Sequence, residues 1–307
     1  MKAAILTGHG GPEKLVYGDM PDPVAGPGDI VVDIHAASVN AADWKVRQGS
    51  YNSTLKFPYI LGRDFSGVVA ALGPAVTDFK PGEPVFGVCD QGIEGAYAEK
   101  IAIQAAIVAK KPDTIGHAEA AAMALTSLTA IWALEDTARL KPGETILIQG
   151  GAGGVAGFAI QLAKHIGATV VTTASARNHD YVKSLGADRV IDYNAEDFTK
   201  TAPPCDVVFD TVGGEVQVRS YQVLKPGGRL VWIAAAPPGF EPIRKDVQVL
   251  RPRVARDRPH LDRMLALLKV GAVWPPAITR YPLAEAAEAH RVSEGRHLQG
   301  KLVLMVQ

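Results

Sequence analysis

Glycines at 150, 151, 153, 154 and 157 directly follow the apolar run Ile146-Leu147-Ile148. They precede Phe158, Leu162 and Ile166, which share one face of a helix. Strand, glycine turn and helix, in that order, is the context in which a glycine pattern can hold a dinucleotide. Gly151 and Gly153 let the backbone turn and approach a pyrophosphate, and Ala156 is small enough for close helix–strand packing. The helix N-terminus, at Gly154 and Val155, would offer free N–H groups and a positive dipole end to the phosphates. The competing reading is a glycine-rich loop without a ligand.

The nicotinamide type is read about 20 residues further on, where an NAD site usually has Asp or Glu for the ribose 2′-OH. Here the second strand ends Thr172-Thr173-Ala174-Ser175-Ala176-Arg177, and the first acid is Asp180. A hydroxyl and a guanidinium suit a 2′-phosphate, which a carboxylate would repel. Ser175 and Arg177 therefore point to NADPH. Otherwise Ser175 caps the next helix and Arg177 is a solvated loop cation.

Other chemistries find little support. Catalytic zinc needs three protein ligands and structural zinc commonly four cysteines. Cys89 and Cys205 are the only cysteines, and the eight histidines show no paired helical spacing. The expectation is no metal. No G-x-S-x-G elbow supports a hydrolase.

These residues need elements to position them. At 307 residues, two domains are expected. Residues 1–110 read as short strands (2–6, 30–36, 65–72, 96–103) punctuated by turns such as Pro21-Asp-Pro-Val-Ala-Gly-Pro-Gly-Asp, hence a compact β-barrel-like domain. Residues 116–138 are alanine-rich and read as helix. From Thr145 to about Ala236, strands (145–149, 169–173, 189–191, 206–210, 229–234) alternate with helices (including 180–185 and 215–224). That alternation gives a parallel sheet covered on both faces. The tail reads helix 261–270, strand 277–281, helix 284–293 and strand 301–306, too small for its own core, and is expected to return to the first domain. The basic Arg251–Arg263 stretch reads as a solvated face, or else closes over cofactor phosphates. Lys+Arg and Asp+Glu balance at 32 each, which argues against nucleic acid or anionic membrane as partners. No apolar run reaches membrane-spanning length, and two cysteines fit a reducing cytoplasm.

The chain resembles the medium-chain dehydrogenase/reductase superfamily, and within it the zinc-free quinone oxidoreductase and enone reductase branch that includes zeta-crystallin. The matching pieces run from end to end: Pro27-Gly-Asp, Ser38-Val-Asn-Ala-Ala-Asp-Trp-Lys, Leu61-Gly-Arg-Asp-Phe-Ser-Gly-Val-Val, Lys80-Pro-Gly-Glu-Pro-Val-Phe-Gly, Ser127-Leu-Thr-Ala, the 150–157 turn, Phe209-Asp-Thr-Val-Gly-Gly and Gly300-Lys-Leu-Val. Zinc-dependent relatives carry Cys where Asn40 stands and Gly-His-Glu where Gly62-Arg63-Asp64 stand; the four-cysteine lobe is missing too.

The resemblance implies an α/β protein. A GroES-like β-barrel catalytic domain (1–115 and 258–307) would accompany a Rossmann doubly wound parallel-sheet domain for NADPH (116–257). It implies hydride transfer to a quinone or to the C=C bond of an α,β-unsaturated carbonyl, and Asp43-Trp44-Lys45 tilts this toward small enones. Asn40, Asp43, Lys45 and Tyr51 would lie around nicotinamide and substrate. Lys45 would anchor the cofactor ribose or the substrate carbonyl, or be a solvated lysine. Tyr51 would donate through its hydroxyl or wall the pocket. Asn40 would hold carboxamide or ribose, or satisfy backbone groups; Asp43 would orient its neighbours. Thr129 would contact the carboxamide or bond its own backbone. Tyr193 would pack near the adenine or 2′-phosphate. Val155, Val212 and Ala234 would line the cofactor, with Gly213 and Gly214 keeping a loop clear of it. A homodimer through an edge strand at Arg229–Ala236 is the expected assembly. An NADPH-binding sensor or accessory protein with little turnover is the competing function.

Overall fold

The computed structural model describes residues 1–51, 53–90 and 92–307. The chain divides into two compact units. One comprises Met1–Leu125, Arg256–Leu265 and Pro275–Gln307; the other comprises Thr126–Ala255 and Ala266–Trp274.

The first unit begins with β1 (Lys2–Leu6), β2 (Leu15–Asp19), β3 (Asp29–Ser38), α1 (Ala41–Arg47), β4 (Tyr59–Ile60), β5 (Asp64–Leu72), β6 (Pro84–Val88), β7 (Lys100–Gln104) and β8 (Val108–Lys110). Helix α2 (His117–Ile131) follows, and the unit boundary falls within it. β2, β1 and β4 form a three-stranded antiparallel sheet. The long β3 is the spine of the larger sheet, pairing antiparallel with β5 and β7. Its buried positions (Ile30, Val32, Ile34) join Phe65, Val69, Val85 and Tyr97 in one apolar core. The sequence predicts a strand at 96–103. The ladder instead occupies Lys100–Gln104, and Ala98 makes only an isolated bridge to Ala3. Turn-rich composition also hides β2, β6 and β8, which are three to five residues long.

The second unit holds β9 (Thr145–Gln149), α3 (Gly154–Ile166), β10 (Thr169–Ala174), α4 (His179–Ser184), β11 (Arg189–Asp192), α5 (Phe198–Thr201), β12 (Cys205–Asp210), α6 (Glu215–Ser220), β13 (Leu224–Trp232) and β14 (Gln248–Leu250). All six strands are parallel, in the order β11-β10-β9-β12-β13-β14. Chain order reverses between β9 and β12. That is the switch point of a doubly wound Rossmann sheet, outside whose strand C-termini ligands bind. Leu147, Val171, Val208 and Leu230 from neighbouring strands form the core. The expected edge strand at 229–236 is covered: β14 pairs with Arg229–Val231 and becomes the edge.

The chain then returns through α7 (Arg258–Lys269), β15 (Ile278–Pro282), α8 (Ala286–Glu294) and β16 (Lys301–Met305). β16 pairs antiparallel with the end of β3, Val303 facing Ser38. Gly300 permits this re-entry: its φ is +68°, and a Cβ there would lie 2.0 Å from the Ala277 carbonyl oxygen. The Arg251–Arg263 stretch is not a solvated face throughout. Arg256 Nε donates to the Cys89 carbonyl (3.3 Å), and Arg258 donates to the Val108 carbonyl (2.7 Å) and pairs with Asp78 (2.6 Å).

Candidate active site

In the second unit the glycine turn is pinned from below. Gly150 N–H donates to Thr173 Oγ1 (3.0 Å) and Gly151 N–H to the Thr173 carbonyl (2.9 Å), while the Thr173 hydroxyl donates to Gln149 Oε1 (2.7 Å). Gly150 needs its positive φ of +75°. A Cβ on Gly151 would lie 2.2 Å from Thr172 Oγ1, whereas one on Gly153 would meet nothing nearer than the Gly150 carbonyl at 3.5 Å. Gly151 is thus needed for packing, and Gly153 leaves its outer side open. Gly153 is the N-cap of α3, so the N–H groups of Gly154, Val155 and Ala156 have no acceptor within the helix. Free donors, a dipole end and an unfilled cradle fit a pyrophosphate.

Ser175, Arg177, Tyr193, Val212 and Ala234 follow strand C-termini of the same sheet. Ser175 follows β10 and makes no side-chain cap to the next turn; Asn178 Nδ2 donates to its hydroxyl at 3.3 Å. Arg177 and Tyr193 are exposed, after β10 and β11. Val212 is exposed after β12 and Ala234 half-buried after β13. The β12 loop is held by Asp210, whose carboxylate accepts from Val212 N–H (2.9 Å) and Gly213 N–H (3.0 Å), while Gly214 N–H reaches the Ala235 carbonyl (2.8 Å). Thr129 is buried on α2. Sequence reasoning passes over Gln149, Thr173 and Asp210, which hold the loops; the only signal is their place at strand ends.

In the first unit the four catalytic candidates lie on or beside α1. Asn40 is the N-cap, and its side chain is already engaged. Oδ1 accepts from Lys301 Nζ (2.7 Å), and Nδ2 donates to Asp64 Oδ1 (2.8 Å) and, at 3.4 Å, to the Ser38 carbonyl. Lys301 also donates to the Val39 carbonyl (2.8 Å). Burial lowers the Lys301 pKa, and the charges of Asp64 and Asp43 oppose that fall.

Asp43 faces inward from α1 and is fully buried. Its Oδ2 accepts from Asn40 N–H (2.9 Å) and the Tyr97 hydroxyl (2.8 Å); its Oδ1 faces Arg63 Nε at 3.5 Å. Burial pushes its pKa up to about 6, aided by the Asp64 charge and opposed by Arg63 and the two hydrogen bonds. Behind Tyr97, His290 Nε2 lies 3.3 Å from the phenol oxygen, and Arg47 lies 3.4 Å from His290 Nδ1. Arg47 can only donate, so Nδ1 accepts and Nε2 carries the hydrogen. Donation therefore runs from Arg47 to His290, to Tyr97, to Asp43. His290 stays neutral, its pKa lowered to about 3 by burial and by Arg47.

Lys45 leaves the other side of α1. It is half-buried, with Nζ 5.5 Å from the Trp44 ring centroid and 5.9 Å from that of Tyr51. Among the described residues no carboxylate pairs with it. Burial, and then the Arg296 charge, lower its pKa. Arg63 lies 5.7 Å from the same Tyr51 ring but is paired, with Glu94 Oε1 at 3.0 Å as well as Asp43. Lys301, Arg63 and Tyr97, absent from the sequence-based candidates, are the side chains that hold the expected ones.

Among the described residues no group of three or more His, Cys, Asp or Glu side chains could hold a metal ion. The positions of Asn40, Arg63 and Asp64 are filled by the amide and the two paired charges just described.

Two family models match: an alcohol dehydrogenase GroES-like domain over residues 26–113 and a zinc-binding dehydrogenase domain over 185–304. The chain is 33% identical to the chloroplastic NADPH-dependent alkenal/one oxidoreductase of Arabidopsis thaliana, covering 99% of this chain and 79% of that protein. It superposes on the quinone oxidoreductase from Coxiella burnetii with a TM-score of 0.91 and 35% identity, covering 100% of this chain and 99% of the other. Escherichia coli quinone oxidoreductase complexed with NADPH matches with a TM-score of 0.91, 28% identity and complete coverage of both chains. The fold is that of the medium-chain dehydrogenases/reductases. Within that superfamily the chain belongs to the zinc-free quinone oxidoreductase and enone reductase branch.

Proposed function

We propose that the protein is an NADPH-dependent reductase that transfers hydride, without a metal, to the C=C bond of an α,β-unsaturated carbonyl or to a quinone. The observation that carries this is Lys45. It is a half-buried ammonium flanked by Trp44 and Tyr51, with no carboxylate partner among the described residues. When bound, NADPH supplies the hydride from C4. The glycine turn and the start of α3 would hold its pyrophosphate; Ser175, Arg177 and Tyr193 its 2′-phosphate and adenine; Thr129, Val155, Val212 and Ala234 would line it. As hydride reaches the β-carbon, negative charge moves to the carbonyl oxygen. Lys45 would stabilise that oxyanion, a role whose loss costs about 3–4 kcal/mol in comparable sites. Tyr51 would wall the substrate beside it. Solvent would then protonate the α-carbon. Asn40 and Asp43 would act by holding α1 rather than by touching substrate, since the Asn40 amide and Asp43 Oδ2 are engaged elsewhere and Asp43 Oδ1 is buried facing Arg63.

Residues 1–115 and 258–307 are read as the catalytic domain and 116–257 as the cofactor domain. A homodimer is proposed through the open edge at β14, to be checked by sedimentation. A cytoplasmic location is consistent with Cys89 and Cys205 both being buried free thiols.

The test is absorbance at 340 nm with purified protein, comparing NADPH and NADH against a short-chain enone, a quinone and, with NADP⁺, a primary alcohol. NADPH loss with enone or quinone and none with alcohol is expected. Tight NADPH binding without turnover on any acceptor would replace the reductase with a binding protein.

A further inference from the structure

The reductase reading needs Lys45 to leave α1 in a fixed direction, and the contacts at the start of that helix are unusual in kind. β16 does not stop pairing at Ser38: Val39 N–H donates to the Leu302 carbonyl at 2.9 Å. One residue back on the same strand, the Lys301 ammonium reaches across to the Val39 carbonyl (2.8 Å) and to Asn40 Oδ1 (2.7 Å). Lys301 is only 6% exposed. A buried ammonium is costly unless hydrogen-bonded and paired. Here the opposing charge comes from Asp64, bonded to the other end of the same Asn40 amide at 2.8 Å. The amide thus lies between a cation at its oxygen and a carboxylate at its nitrogen. Turning it over would set NH₂ against NH₃⁺ and oxygen against carboxylate, so one orientation is enforced. Asn40 N–H in turn holds Asp43 Oδ2 (2.9 Å) at the third position of α1.

We propose that Lys301 is a positioning residue of the reductase site: its ammonium, bonded to Val39 and Asn40, fixes the entry of α1 and so the direction in which Lys45 leaves it. The proposal rests on the reductase reading. It adds a residue 256 positions from Lys45 that would act through Val39 and Asn40, and it assigns a task to the lysine of the closing Gly300-Lys-Leu-Val segment.

A double-mutant cycle tests it. K301M, N40A and K301M/N40A are compared with wild type for kcat and KM with a short-chain enone, for NADPH affinity by fluorescence titration, and for Tm. K301M is expected to lower kcat on the order of 10- to 100-fold, the usual range for a residue that orients an active group, with KM for the enone within about threefold. The double variant should be no slower than the slower single one, because the lysine acts through the amide. Multiplying losses, a loss confined to Tm, or wild-type kinetics in K301M would overturn the proposal. Should K301M not fold, K301M/D64N removes the ammonium and its opposing carboxylate together and takes its place in the cycle. If wild type turns over no acceptor, the reductase reading fails by itself. The cycle is then read on NADPH affinity, where additive losses defeat the positioning role and non-additive losses keep it.

Discussion

The two polar centres are built from different materials. In the second unit, the glycine turn offers backbone N–H groups, a helix end and the absence of side chains; Thr173 and Gln149 only hold it in place. In the first unit, the surroundings of α1 are side-chain charges taken out of water: Lys301, Asp64, Asp43, Arg63 and Glu94. A backbone site leaves no uncompensated charge and has little to titrate. A side-chain site is costly to desolvate and each member depends on the next. The first should fail by steric filling, the second by loss of one partner or by pH.

The largest effect is expected where one methyl group fills the backbone cradle. Gly153→Ala has room within the protein, its nearest neighbour lying at 3.5 Å and its φ of −76° open to any residue. It should keep Tm within about 2 °C while weakening NADPH binding by about 100-fold, or near 2.7 kcal/mol. Gly151→Ala would instead press on Thr172 Oγ1 at 2.2 Å and should lower both stability and affinity. Fluorescence titration and thermal melts separate the two. Wild-type NADPH affinity in Gly153→Ala would end the claim that this turn cradles phosphate.

Legibility in the sequence follows the same division. The glycine turn spans eight consecutive residues, so its chemistry and its elements coincide, and strand 145–149 is legible to the residue. β6 and β8 escape because short strands beside Pro and Gly carry little period-two signal. β14 escapes because three residues after a proline-rich loop hold almost none. The α1 candidates are reached through family resemblance, yet the contacts that support them are not. Lys301, Asp64, Tyr97 and His290 come to the Asn40–Asp43 cluster from far along the chain, with Asp64 24 and Lys301 261 positions from Asn40. Their side chains look like ordinary polar surface groups until the fold buries them.

Asp43 gives the next effect, and its sign differs from that of the usual paired carboxylate. Its pKa is raised from 3.8 to about 6 in the folded protein, so between those values the folded state holds a proton that the unfolded state has released. This contribution to stability falls as pH rises from about 4 to 6 and is level above. His117 and His290 act oppositely: lowered to about 4 and about 3, chiefly by burial, they cost stability as pH drops below 6.5. The wild-type curve mixes these terms, and the difference between wild type and Asp43→Asn isolates one. The substitution leaves Arg63 with Glu94 as its carboxylate partner, but it also removes a charge that the fold holds at a net cost above pH 6, so any deficit of the variant should be smallest at pH 7. Relative to wild type it should gain by about 2–3 kcal/mol as pH rises from 4 to 6. Urea melts at pH 4, 5, 6 and 7 measure it. A pH-independent difference would mean that Asp43 is ionised throughout that range.

The smallest effect sharpens the comparison at its margin, where the backbone site borrows a side chain. Arg177 stands exposed after β10, where an NAD site would carry an acid, and would meet the 2′-phosphate. A charge-assisted bond there is solvated and screened, so Arg177→Ala should weaken NADPH binding by only about 10-fold, or 1.4 kcal/mol. NADH, which lacks the phosphate, should bind wild type and variant alike. The ratio of the two affinities therefore carries the result, since a disturbed loop would weaken both together. Salt gives a second check: with a Debye length near 10 Å at 0.1 M and about 3 Å at 1 M, the NADPH advantage should shrink as salt rises in wild type and hardly change in the variant. An unchanged NADPH/NADH ratio in Arg177→Ala would move cofactor choice to Ser175 and Tyr193. The preference would then come from hydroxyls and not from a guanidinium, and it would persist in high salt.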